Sequence, residues 1–249
     1  MMNSPLIFPG RVIAHRGASA YAPENTLAAF KKAQELNITW VEFDVMQSLC
    51  GEVIIFHDEL LDRTTNGKGD VSLVNYSDLT KLDAGSWFTP DFSAECIPTL
   101  NQLLEFLTEN NMSMNIELKS LPGDEEKLVL KVLEVVSQYQ DNSSAILFSS
   151  FSLQALQALH HYSPESNKGM LLHEWEENWE KLCVELNCVS VHVFEEILTK
   201  QTSHEIKAMN KKLLSYTVND PNRAAELFSW GVDAVFSDRP DVIKNLEVQ

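Results

Sequence analysis

Short apolar runs rich in Val, Ile, Leu and Phe recur along the chain, and between most of them the apolar residues return every three or four positions. The first pattern reads as buried strands and the second as amphipathic helices. Strands are predicted over 11–14, 40–45, 53–56, 114–119, 145–148, 169–172, 189–193, 213–218 and 234–236. Helices are predicted over 24–36, where Leu27, Phe30, Ala33 and Leu36 share a face, and over 99–108, 124–139, 153–161, 176–186, 204–210 and 222–230. Alternating β and α segments without a long linker or repeat predict an α/β fold, a TIM-type (β/α)8 barrel with its site at the C-terminal ends of the strands. Nine strand candidates are one too many for eight. The gap between Val45 and Val53 is too short for a helical crossover, so these two runs read as a hairpin or as a distorted part of the barrel. The segment 58–98, after the strand ending at His57, lacks this rhythm and is rich in Gly, Asp, Asn and Ser. It reads as a small insertion over the barrel mouth, within a single domain spanning 1–249.

The strand ends break the rule that buried runs are apolar. The first run ends on His15 and the third on His57. Glu42 and Asp44, two apart, leave the same face of one strand, and 114–119 repeats the arrangement with Glu117 and Lys119. Ionised carboxylates buried in strands are costly unless a cation or hydrogen bonds compensate them. Four strands carrying such groups near the same end point to one polar site. Glu42, Asp44 and Glu117 offer oxygen ligands only, which suits one hard divalent cation, Mg²⁺ or Ca²⁺ with Mn²⁺ as an alternative, better than Zn²⁺. Taken singly, each residue has a plainer reading. A histidine ending a strand is more often a hydrogen-bonded structural residue, and each carboxylate could be salt-bridged within the barrel.

Length and charge narrow the class. With 249 residues, 44% of them hydrophobic, the chain can bury a full core. A formal net charge of −17 argues against nucleic acid and anionic membrane surfaces as partners, and any bound anion must rely on local positive charge. The four cysteines, at 50, 96, 183 and 188, show no C-x-x-C spacing and read as reduced thiols. Residues 1–10 have no basic leader, and their apolar run is too short for export or membrane insertion. A cytoplasmic monomer or homodimer is expected.

Read in order, the polar motifs are His15-Arg16-Gly17, Pro23-Glu24-Asn25-Thr26, Glu42-Phe43-Asp44-Val45, His57-Asp58, Arg63-Thr64-Thr65-Asn66-Gly67 and Asp83-Ala84-Gly85-Ser86-Trp87-Phe88. Ile97-Pro98-Thr99-Leu100, Ile116-Glu117-Leu118-Lys119, Ser149-Ser150-Phe151, Tyr216-Thr217-Val218-Asn219 and Ser237-Asp238-Arg239-Pro240 follow. This ordered set resembles the glycerophosphodiester phosphodiesterase family over nearly the whole chain. The stretch 171–179, with Val189-Ser190-Val191-His192 behind it, is similar to the bacterial cytoplasmic branch. One departure is Cys50-Gly51, where family members often have Asp-Gly; the turn needs the glycine more than the acid.

The resemblance implies a barrel of the phospholipase C-like phosphodiesterase type and a small glycerophosphodiester substrate, cleaved to sn-glycerol 3-phosphate and an alcohol. It implies that Glu42, Asp44 and Glu117 hold the cation and that His15 and His57 are the acid–base pair. An ordinary imidazole pKa near 6.5 lets one accept and the other donate a proton. Arg16 would grip the phosphate as a fork and Lys119 as a point charge, with Phe151 and Tyr216 lining the pocket. Direct attack by water and prior attack by a glycerol hydroxyl both remain open. Glu24 and Asn25 read as structural residues that cap the first helix and brace the mouth, Asp58 as a group orienting His57, and Asp238-Arg239-Pro240 as the close of the last strand. His192 reads as a core histidine, and Trp87 with Phe88 as either a cover for the alcohol or packing of the insertion. The acidic run Glu174, Glu176, Glu177 and Glu180 reads as a solvated helix start. The alternatives are a related barrel acting on lysophospholipids or inositol lipids, favoured by a continuous apolar groove at the mouth, and a non-catalytic phosphate-sensing barrel.

Overall fold

Eight of the nine apolar runs pair side by side, all parallel, and the last closes onto the first. The computed structural model describes residues 6–139 and 144–246; residues 1–5, half of the stretch read above for a leader, lie outside them. The strands are β1 (Val12–Ala14), β2 (Trp40–Gln47), β3 (Val53–Ile55), β4 (Ser113–Leu118), β5 (Ile146–Ser150), β6 (Lys168–Leu172), β7 (Ser190–Phe194), β8 (Lys212–Tyr216) and β9 (Ala234–Ser237). The order β1-β2-β4-β5-β6-β7-β8-β9 closes through the β1–β9 pair, in which Val12 faces Val235 and Ala14 faces Ser237. The ninth run is accounted for by β3, which runs antiparallel on the C-terminal half of β2, pairing Val45 with Ile55 and Gln47 with Val53. It can sit there because β1 pairs β2 only near Val41 and has ended by that level. The hairpin turn passes through Gly51 at φ +84°, with nothing near its Cα face.

The helices are α1 (Leu27–Glu35), α2 (Tyr76–Leu79), α3 (Leu100–Glu109), α4 (Glu125–Val136), α5 (Leu153–Tyr162), α6 (Trp179–Glu185), α7 (Lys200–Ala208), α8 (Pro221–Ser229) and α9 (Pro240–Ile243). Several start on a side-chain cap: Thr99 and Thr199 form capping boxes, and Ser152 accepts from Ala155 N. The first helix begins later than its periodicity predicts. Its cap is Thr26, which accepts from Ala29 N, and neither Glu24 nor Asn25 takes part in capping.

Alternation along the strands sorts the core into layers. Outward residues such as Val41, Phe43 and Val45 pack under the helices in the main cluster, and inward Ile13, Trp40, Leu147, Leu214 and Phe236 fill the N-terminal end of the barrel. Residues after His57 build a third, smaller cluster in which Leu61, Val71, Leu79, Ala84 and Ile97 pack on Met46, Ile54 and Phe56 of the hairpin. Trp87, Phe88 and Phe92 stack edge to face among themselves, and Trp87 Nε1 donates to Ala84 O. The four cysteines are free thiols, and among the described residues no helix is long and apolar enough to cross a membrane.

The α1–β2 contact rests on two fully buried rings, Phe30 and Phe43, edge to face with centroids 5.9 Å apart. Phe30→Ala is expected to lower unfolding free energy by about 3–5 kcal/mol in a urea titration. A loss below about 1 kcal/mol would contradict this packing.

Candidate active site

Where β1 ends, the chain turns sharply. His15 N donates to Ser237 O at 3.0 Å, and Arg16 and Gly17 then take φ values of +54° and +77°. A Cβ at Gly17 would lie 2.7 Å from Ala29, so only glycine lets α1 approach this turn. The turn aims two backbone amides at β2: Arg16 N reaches Glu42 Oε2 at 2.8 Å and Gly17 N reaches Glu42 O at 3.3 Å.

Register completes the acidic cluster. Pairing of β2 with β4 sets Glu42 opposite Asn115 and Asp44 opposite Glu117. One oxygen from each of Glu42, Asp44 and Glu117 lies within 4.8 Å of the others. Asp44 is 1% exposed and Glu42 3%. Asn25, at φ +58°, donates Nδ2 to Asp44 Oδ2 at 2.8 Å, which is its task in place of capping. Among the described residues, Glu42 Oε1 is buried with no hydrogen-bond partner, and Glu117 Oε1 has only the Lys119 ammonium, at 3.4 Å. Burial, then the charges of Asp44 and Glu117, push the Glu42 carboxyl well above its usual range. Burial and Asp44 push Glu117 up to about 7, against Lys119 and Arg16. Asp44 goes the other way: burial would raise it, but Arg16, His57, Lys119 and the Asn25 hydrogen bond outweigh burial. Orphaned buried oxygens and an all-carboxylate donor set fit a hard divalent cation.

Each histidine is held through Nδ1 by its own carboxylate. His15 Nδ1 lies 2.7 Å from Asp238 Oδ1, and Asp238 in turn accepts from Ser19 Oγ at 2.9 Å and Asn219 Nδ2 at 2.7 Å. His57 Nδ1 lies 2.6 Å from Asp58 Oδ1, with its Nε2 3.1 Å from Lys119 Nζ. Burial, with the nearby Arg16 and Lys119 charges, lowers the His57 pKa against the pull of Asp44. Arg63 grips Asp58 with Nε at 2.6 Å and the far side of Glu24 at 2.7 and 2.8 Å. Glu24 also takes the Arg16 guanidinium at 2.7 Å, and Arg16 Nε stands 3.5 Å from Asp44. The Arg16 fork therefore faces Glu24 and Asp44. A continuous line of alternating charge runs from His57 to Asp44.

Two hollows meet at this cluster. A chamber of about 300 Å³ in the barrel interior is lined by His15, Arg16, Glu42, His57 and Glu117 on one side and by Phe151, Phe194, Tyr216 and Phe236 on the other. An open cleft of about 500 Å³ shares His57, Glu117 and Phe151 and continues outward past Glu59, Lys119, Ser120 and Glu125. Phe151 and Tyr216 meet edge to face at 5.9 Å. No residue of 58–98 lines the chamber, Glu59 alone among them reaches the cleft, and Trp87 and Phe88 touch neither.

Residues 15–242 match the glycerophosphoryl diester phosphodiesterase family. The chain belongs to that family. It is 35% identical over 240 residues to a glycerophosphodiester phosphodiesterase of Caldanaerobacter subterraneus, covering 94% of this chain and 96% of the relative. It is 32% identical over 270 residues to a glycerophosphodiester phosphodiesterase of Bacillus subtilis, covering 97% and 88%. Among solved structures, an Oleispira antarctica phosphodiesterase in complex with the product sn-glycerol-3-phosphate superposes with a TM-score of 0.92 at 39% identity, covering 94% of this chain and 95% of the other. The closed parallel barrel expected from the pattern is the fold this family shares.

In this family member the structure brings His15, Arg16, Glu42, Asp44, His57, Glu117 and Lys119 to one place. Asp238 departs from its expected part: besides following the last strand, it holds His15. Barrel closure was the available signal, since the residue after the last strand must neighbour the residue after the first. Nothing in the local pattern marked Arg63 as the link between Glu24 and Asp58.

A carboxyl with a higher pKa when folded than when unfolded keeps its proton longer in the folded chain. Its contribution to stability is therefore lost as pH rises from the ordinary 4.5 through about 7. In EDTA at pH 8, Glu117→Gln should be more stable than the parent by roughly 1–3 kcal/mol, with the difference vanishing towards pH 4.5. Equal melting at pH 8 would show that no such repulsion exists.

Proposed function

We propose that this enzyme hydrolyses glycerophosphodiesters to sn-glycerol 3-phosphate and an alcohol, using His15 and His57 as an acid–base pair beside a carboxylate-held divalent cation. The observation that carries this reading is the pair of histidines, each fastened at Nδ1 to its own carboxylate, bordering one chamber beside a cluster of three carboxylates. The product found in the Oleispira antarctica phosphodiesterase supports it. Glu42, Asp44 and Glu117 would hold the cation, Mg²⁺, Ca²⁺ or Mn²⁺. When bound, such an ion neutralises and polarises a phosphoryl oxygen.

The chain's own groups supply the rest. Asp238 and Asp58 fix the two imidazole rings, so that Nε2 of each is the nitrogen turned to the reacting centre. One ring takes the proton of the attacking water or glycerol hydroxyl, and the other delivers a proton to the departing alkoxide; where the hydroxyl attacks first, water then opens the cyclic phosphate to sn-glycerol 3-phosphate. Arg16 and Lys119 offset the phosphate charge once substrate draws them from Glu24, Asp44 and Glu117. The cleft beyond Phe151 mixes Met46, Leu118, Leu121 and Pro122 with Glu59, Lys119, Ser120, Glu125, Ser152 and Gln154, so charged and polar groups interrupt the continuous apolar groove that a lysolipid chain would need.

Turnover of glycerophosphocholine should vanish in EDTA and return with Mg²⁺, Mn²⁺ or Ca²⁺. Glu42→Gln and Asp44→Asn should weaken cation binding in calorimetry while the fold persists. Full activity in excess EDTA would remove the cation from the reaction.

His15→Ala and His57→Ala should each lower kcat by about 10²–10⁴ with cation binding retained. A nitrophenyl diester, whose leaving group needs no proton, should rescue the variant that lacks the acid and not the other. Equal losses on both substrates in both variants would leave the histidines as orienting groups only.

A further inference from the structure

Beside the carboxylates, in the barrel interior, lie polar groups that this chemistry does not use. Asn115 stands two residues before Glu117 on β4, and His192 is the central residue of β7. They are 1% and 0% exposed, and both line the chamber. Each is fixed at one end by a serine: Asn115 Nδ2 donates to Ser149 Oγ at 2.9 Å, and His192 Nε2 lies 2.9 Å from Ser190 Oγ. The other ends, Asn115 Oδ1 and His192 Nδ1, are buried without a hydrogen-bond partner among the described residues. Buried polar atoms are normally paired, so two orphans lining one cavity mark places where a ligand's polar groups belong.

The imidazole has been given its room. A Cβ at Gly169 on the neighbouring strand would lie 2.4 Å from His192 Nε2, so the glycine leaves space for the ring, while the Phe236 ring packs at 5.2 Å. Burial lowers the His192 pKa to about 3, so the ring stays neutral with one donor and one acceptor nitrogen. When Ser190 donates to Nε2, Nδ1 carries the proton and is the free donor, and Asn115 Oδ1 is the free acceptor. Leu171, Phe194, Phe236 and the ring of Tyr216, whose hydroxyl is taken by Leu172 O at 2.9 Å, give the chamber an apolar wall, with Thr217 and the exposed His173 beside it. A donor and an acceptor facing an apolar wall complement a short polyol, whose hydroxyls do both and whose C–H edges pack on rings.

We infer that Asn115 and His192 form a subsite for the glycerol hydroxyls, so that the glycerol half of the diester enters the barrel interior and the alcohol half stays in the open cleft. This rests on the diesterase reading and assigns its specificity. The chamber's 300 Å³ stands at the lower end of small-molecule sites, which excludes bulky alcohols from it.

The test uses the full chain loaded with Mg²⁺ and two diesters. One is glycerophosphocholine; the other is propane-1,2-diol phosphocholine, which keeps the hydroxyl next to the phosphate-bearing carbon and lacks only the terminal one. The wild type should prefer the first by about 100-fold in kcat/KM, because the deoxy compound leaves a buried polar atom unpaired. His192→Phe and Asn115→Leu should shrink that preference below tenfold, chiefly through loss on glycerophosphocholine. A wild type that cleaves both equally overturns the subsite with no variant needed. Variants that fold, judged by circular dichroism, and keep the full preference overturn it as well. If a variant fails to fold, His192→Gln and Asn115→Ser take its place. Failure of the wild type to cleave either diester would instead strike the diesterase reading and take the subsite with it.

Discussion

Parallel pairing of β2 with β4 in the register that sets Asp44 beside Glu117 is the constraint from which the site follows. With Glu42 two residues earlier on the same face, it gathers three carboxylate oxygens within 4.8 Å at the top of a closed barrel. Burying such a cluster opposes folding, because each charge loses water and gains like-signed neighbours. Two of the three respond with raised pKa values, while Asp44, facing Arg16 and Asn25, stays ionised. The barrel thus holds negative charge that its own side chains only partly balance.

Much of the surrounding structure is the balance. Backbone amides at a left-handed turn serve Glu42, Asn25 serves Asp44, and Lys119 serves Glu117. Arg16 and Arg63 alternate with Glu24 and Asp58 in a chain that ends on His57, so one side of the mouth is cross-braced by hydrogen-bonded ion pairs rather than by apolar packing. Because several pairs share partners, their strengths are not independent, and disturbing one charge alters the next. The region after His57 contributes Arg63 to this chain while its apolar residues pack elsewhere, on the β2–β3 hairpin. Its part in the site is therefore electrostatic bracing, and it does not reach the chamber.

The division of space at the cluster gives the family's chemistry a direction. A chamber with an aromatic wall and a larger cleft of mixed charged and apolar lining meet at His57, Glu117 and Phe151, so the two halves of a diester bound between them would meet different surroundings. On the proposed reading, discrimination falls to the barrel side, where Asn115 and His192 are buried and an unmet hydrogen bond is costly, and tolerance to the cleft.

Periodicity and residue type were enough to segment most of the chain into strands and helices and to favour a closed α/β barrel, and it took the ordered set of motifs to single out Glu42, Asp44, Glu117, His15 and His57. These signals are local: a strand's face repeats every two residues, and a carboxylate in an apolar run is conspicuous wherever it occurs. Helix starts were read less well, since Glu24 and Asn25 look like caps until Arg16 and Asp44 are placed beside them. Only the tertiary structure decided that Asp238 holds His15 across 223 residues, that Arg63 joins Glu24 to Asp58, and that Asn115 and His192 share one chamber. Those pairings depend on barrel closure and strand register, which emerge from the packing of the whole chain and leave no mark on any short stretch of it.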